Sequence, residues 1–153
     1  MDIDIENIIE LDRLNMTKFF KDSTIQFDPC IRRKGLLKEI EEGASFIMIE
    51  RNCRLVAYIE YVPVSDGNVY VASIQIHPEY THRFILRRML SNVYHKLKNN
   101  FPFAIRSSAH LNNKLSLKLH DKLGFEIVDK DNERIYFTTS GQELVERLSG
   151  YSH

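Results

Sequence analysis

The sequence predicts an α/β fold, a mixed and mostly antiparallel sheet covered by helices. Three observations carry that prediction. Between Ser45 and Ile76 three strand-like stretches follow one another through short turns, which makes an antiparallel meander. After Ile76 helical and strand periods alternate, and a helix is the usual crossover between parallel neighbours. With 153 residues, 43% hydrophobic and 27% charged, the chain has the size and composition of one folded domain with one core. That domain spans 1–153. Residues 1–43 form a helical part, 44–139 the sheet core and 140–153 a tail helix.

In chain order, residues 2–5 alternate acidic and apolar and read as a short strand. Ile8, Ile9, Leu11, Leu14, Phe19 and Phe20 have helical spacing between about Ile8 and Asp22. Asp28-Pro29 is an N-cap followed by a first-turn proline, opening a second helix that ends at Gly43. Ser45 to Glu50 and Leu55 to Val64 make a hairpin around Arg51-Asn52. Asp66-Gly67 turns the chain into a third strand, Val69 to Ile76. A helix from about Thr81 to Leu97 buries Ile85, Met89, Leu90 and Val93, and Phe101 to Ser107 is the next strand. Asn112 or Asn113 caps a helix that Gly124 ends. Phe125 to Val128 and Arg134 to Thr138 are strands, and a short helix covers Gln142 to Leu148.

Charge narrows the function. Lys and Arg number 21, as do Asp and Glu, so a general nucleic-acid binder is disfavoured. Cys30 and Cys53 have no paired spacing, so neither a metal site nor a disulfide framework is expected, and both read as reduced. The acidic N-terminus is unlike a signal peptide, and no apolar run approaches the ~20 residues that span a bilayer. The expected location is cytoplasmic, with no membrane partner.

The stretch from Ile74 to Leu97 carries the chemistry. A strand ends at His77-Pro78 and a helix with a basic first turn follows. Unpaired amides and the positive end of the helix dipole then meet at one spot, which suits a phosphate or another anion.

The order of elements, the strand end Ile76-His77-Pro78-Glu79-Tyr80, and the segment Asn113 to Phe125 resemble the GNAT superfamily of N-acetyltransferases. Asn113, Ser116, Leu119 and Lys122-Leu123-Gly124-Phe125 match the family's pattern there. The resemblance covers about Ile47 to Thr138. It implies a sheet of about six to seven strands with helices on both faces and a splayed central parallel pair. It also implies acetyl-CoA as co-substrate, with its pantetheine arm along Ile74 and Ile76 and its pyrophosphate between Thr81 and Arg87. Asn113 and Ser116 would contact it from the following helix.

The chain departs from the family in two places. Thr81, His82, Phe84 and Leu86 stand where the phosphate loop usually carries an arginine or glutamine and then glycines. Glycine lets backbone approach phosphate, so Phe84 and Leu86 would narrow that space. Arg83 and Arg87, with Arg88 and His82, are read as replacing the glycines by guanidinium contacts. The alternative is an ordinary solvated helix face. His120 stands where the family often has a tyrosine serving as general acid, and is the candidate proton donor to a departing thiolate. Glu60, or else His77, is the candidate base for the acceptor amine.

The resulting reading is an acyl-CoA-dependent N-acyltransferase, with acetyl passing directly to an amine on a small molecule or a protein. The competing reading is a GNAT-fold interaction module without CoA binding, with a homodimer or another protein as partner. A nucleic-acid-binding role ranks last.

Overall fold

Asp28 and Pro29 set the first clear boundary. In this computed structural model, which describes residues 4–19, 26–80 and 83–151, Asp28 is extended and its carboxylate accepts the amides of Cys30 and Ile31. Pro29, whose missing N–H costs nothing there, opens α2 (Pro29–Glu41). The preceding α1 (Ile5–Phe19) begins within the stretch read as a first strand, since Ile5 is already helical. Asp4 is in neither helix nor strand, and residues 2–3 of that stretch lie outside the described residues.

The hairpin of β1 (Ser45–Arg51) and β2 (Arg54–Pro63) turns at Asn52 and Cys53. Their φ values of 54° and 63° give the left-handed pair that matches strand twist, one residue beyond the predicted turn. Asp66 and Gly67, also at positive φ, lead into β3 (Val69–Ile76). After α3 (Arg83–Leu97) come β4 (Ala104–His110), α4 (Lys114–Lys122), β5 (Glu126–Lys130), β6 (Arg134–Ser140) and α5 (Gly141–Leu148). A Cβ on Gly141 would collide with the carbonyl oxygen of Pro102, so glycine is required where β6 passes into α5. Cys30 and Cys53 are both exposed and unbridged. No helix among the described residues is long and apolar enough to cross a membrane.

The six strands lie in the order β1-β2-β3-β4-β6-β5, and β3–β4 is the parallel pair that the intervening helix predicts. Alternation along the strands builds a core on each face. Ile47, Ile49, Ile59 and Ile76 pack against Ile85 and Met89 of α3. Phe46, Leu55 and Tyr58 pack against Ile8 and Leu11 of α1 and Leu36 of α2. Leu90, Leu119 and Leu144 join α3, α4 and α5 on the first of these faces.

One irregularity positions the site. β2 pairs Glu60 with Ser73 and Tyr61 with Val71, so Ala72 is an extra residue in β3. Such a bulge bends its strand and steepens its twist. β3 and β4 pair only at Val69–Ile105 and Tyr70–Arg106, and beyond those residues they separate.

Candidate active site

Past the point where β3 and β4 part, a cavity of about 400 Å³ lies between the end of β3 and the start of α4. Ile74, Gln75 and Ile76 form one wall, with Asn113, Ser116 and Leu119 opposite. The cap of α4 fixes that second wall, because Asn113 Oδ1 accepts the amide of Ser116 at 3.1 Å. The structure thus brings together Ile74, Ile76, Asn113 and Ser116. Along the wall from Val71 to Ile76, β3 has no strand partner on the β4 side among the described residues. One group at its end is engaged, since Asn15 Nδ2 donates to the Ile76 carbonyl at 3.1 Å and to Gln75 Oε1 at 2.7 Å.

The start of α3 lies apart from this cavity. Thr81 and His82 fall outside the described residues. Arg83 is exposed. Phe84 is 56% exposed, and the Arg51 guanidinium lies 5.3 Å from its ring centroid. Leu86 packs into the core beneath α3. Phe84, Arg87, Arg88 and Tyr151 line a separate open recess of about 240 Å³. Neither Phe84 nor Leu86 stands among the residues lining the cavity between β3 and α4.

A second cavity of about 160 Å³, between the parted β3 and β4 and reaching Met16 of α1 on the α1–α2 face, includes Ser73, Gln75, Ser107 and Arg134. Behind Ser73 runs a buried polar network. The Tyr58 hydroxyl donates to Asp12 Oδ1 and lies 3.3 Å from Ser73 Oγ. Arg32 holds three carboxylates, through Nε to Asp12 at 2.7 Å, Nη2 to Glu60 at 3.1 Å and Nη1 to Glu39 at 3.3 Å. Glu60 is fully buried, and its Oε2 has no hydrogen-bond partner among the described residues. Burial, and next the neighbouring Glu39, push its carboxyl up to about 8 against the pull of Arg32. Burial also raises Asp12, opposed by Arg32 and Tyr58.

Sequence reasoning found Glu60 but missed Asp12, Asn15, Arg32, Tyr58 and Ser73. The available signal was a polar residue on an apolar helix stripe, since Asp12 and Asn15 continue the buried row begun by Ile8 and Leu11.

His120 is 2% exposed and lines neither cavity. Its Nδ1 is 2.7 Å from the Ser116 carbonyl oxygen and its Nε2 2.8 Å from Ser107 Oγ. A carbonyl can only accept, so Nδ1 carries the proton and Nε2 accepts from Ser107. The ring stacks on Phe137 with centroids 4.2 Å apart, and burial lowers its pKa, favouring the neutral form. Ser107 and Ser116 themselves reach the cavity on the α1–α2 face. His77 is also buried, within hydrogen-bond distance of Arg54 and of the Glu79 amide. No group of His, Cys, Asp and Glu among the described residues is arranged to hold a metal ion.

Residues 8–125 match the family model described as the acetyltransferase (GNAT) family. No curated protein matches the chain. Among solved structures, the fold is similar to the PaiA N-acetyltransferase of Thermoplasma acidophilum in complex with coenzyme A. That likeness has a TM-score of 0.71 at 21% identity, covering 90% of this chain and 92% of that one. It is also similar to the ribosomal-protein-S18-alanine N-acetyltransferase of Escherichia coli, with a TM-score of 0.69 at 13% identity over 90% and 88% of the two chains. A third likeness is to YncA of Salmonella typhimurium with its cofactor acetyl-CoA, at a TM-score of 0.63 and 16% identity, again over 90% and 88%.

Proposed function

Since the chain belongs to the acetyltransferase (GNAT) family, we propose that it transfers an acyl group from an acyl-CoA to an amine. The observation that supports this most is the open gap of about 400 Å³ beside an unpaired stretch of β3, clear of Phe84 and Leu86. Exposed strand edges bind extended polar chains through backbone hydrogen bonds. Pantetheine amides suit the edge at Ile74 and Ile76, with Asn113 and Ser116 on the opposite wall. Arg83 and Arg87, with Thr81 and His82 preceding or flanking them in sequence, would supply donors and positive charge for the phosphates. A bound thioester supplies the activated acyl group.

The chain's own part is to position the two substrates and to move protons. Positioning accounts for most of the benefit in such a ternary complex. The amine enters the polar cavity beside Ser73. Its proton passes through the Ser73 and Tyr58 hydroxyls to Asp12. Glu60 adjusts Asp12 through their shared Arg32, because the charge on Glu60 sets how much of that guanidinium Asp12 can use. His120 acts through Ser107 and Ser116 instead of touching the thiolate, as a positioning residue.

Calorimetric titration with acetyl-CoA at neutral pH tests the reading. Saturable binding together with a raised melting temperature is the expected result. No heat and no thermal shift up to millimolar acetyl-CoA would overturn it and favour a non-catalytic interaction module.

A further inference from the structure

A third cavity, of about 100 Å³, lies on the α3 face of the sheet, under the point where β3 and β4 part. Its walls include Val71 and Ile74 of β3, Ile105 of β4, Leu90 and Val93 of α3 and Leu119 of α4. At its outer end Tyr61 is covered by Lys96, whose ammonium sits 5.5 Å from the ring centroid. No carboxylate, hydroxyl of Ser or Thr, or amide side chain lines it.

Its position matters more than its size. Ile74 and Leu119 also line the cavity between β3 and α4, while Val71 and Ile74 also line the polar cavity between the strands. Ile74 is thus a wall of all three spaces, at the place where the strands part. One is polar and backed by carboxylates, one runs between β3 and α4, and one is apolar. An apolar void lowers stability in proportion to its volume, and such voids stay dry and accept apolar guests.

We propose that this cavity receives the alkyl tail of the transferred acyl group, so that the preferred donor is an acyl-CoA a few carbons longer than acetyl. This rests on the acyl-transfer reading above. A thioester at the junction has its acceptor on the polar side and a water-poor void on the other. Each methylene moved into such a void is worth about 0.8 kcal/mol, or about fourfold in affinity. An acetyl methyl leaves most of the space unfilled.

The test is calorimetric titration of the full chain with coenzyme A and with its acetyl, butanoyl and hexanoyl thioesters. Butanoyl-CoA, two methylenes longer, is expected to bind about fifteenfold more tightly than acetyl-CoA. Val93→Phe fills the cavity from α3 and should bring the butanoyl-to-acetyl ratio close to one. Val93→Ala enlarges it and should move the tightest donor toward hexanoyl. The wild-type series decides even if the phenylalanine variant fails to fold. Equal or weaker binding of butanoyl-CoA, with acetyl-CoA still bound, overturns the acyl pocket and leaves the acyl-transfer reading intact. Failure of every thioester and of coenzyme A to bind overturns that reading, and this inference with it.

Discussion

The two faces of the sheet at the strand separation are buried to similar depth but built from opposite materials. On the α1–α2 side, Asp12, Glu39 and Glu60 gather around the single guanidinium of Arg32, with Tyr58 and Ser73 extending the network toward a polar cavity. On the α3 side, Leu90, Ile105, Leu119 and Leu144 meet with no charged group among them. The same strand serves both, through Ser73 and Gln75 toward one cavity and Val71 and Ile74 toward the apolar one. Burial on the apolar face returns free energy with every methylene. Burial of charge on the polar face costs free energy that only good partners offset. An expensive cluster beside an open cleft is where proton chemistry is to be sought.

The contrast can be broken most sharply at Arg32. Arg32→Ala strands three carboxylates and should cost about 3–5 kcal/mol in urea unfolding. A loss below ~1 kcal/mol would show that the guanidinium is not what holds the network. On the apolar face Leu90→Ala should cost about 3 kcal/mol through lost contacts and a new void, with no change in the pH dependence of stability.

pH separates the faces further. The Glu60 carboxyl is raised to about 8 in the folded protein, against an ordinary glutamate value of 4.5. Between those values the folded state keeps a proton that the unfolded state has lost. Stability therefore falls as pH rises through that window, by up to about 1.4 kcal/mol per unit, and levels off above it. Glu60→Gln should flatten the slope in melting temperatures recorded from pH 5 to pH 8. A slope unchanged in that variant would place the titration elsewhere. The smallest effect concerns the cleft wall, where Asn113→Ala removes the cap of α4 and should cost about 1 kcal/mol. It should also weaken acetyl-CoA binding by calorimetry, and unchanged affinity would remove Asn113 from the donor site.

The fold was legible wherever a local signal set it. Val69 to Ile76 is legible to the residue, and Asp28-Pro29 and the Asn112-Asn113 pair mark helix starts, because capping is a matter of neighbouring atoms; the structure selects Asn113 from the pair. The strand read from Phe101 begins instead at Ala104, since Pro102 has no amide to donate and Phe103 is 81% exposed. The family resemblance singles out Ile74, Ile76, Asn113 and Ser116, and these four line one cavity. The polar network was not legible, because Asp12, Arg32, Tyr58 and Ser73 come from four elements and are joined only by packing. His120 was placed on its helix correctly, but nothing local announced Phe137 against its face or Ser107 at its far nitrogen.

Ala72 has a further consequence. Before it, β3 turns its odd-numbered side chains toward α3, as Val71 shows. After it, even-numbered Ile74 and Ile76 take that side. Deleting this one alanine would restore strict alternation and keep every partner on β2, with Ile74 and Ile76 still toward α3 and Ser73 and Gln75 still toward the carboxylates. What it would remove is the local bend, so this residue bears on the opening of the cleft and not on the composition of either core.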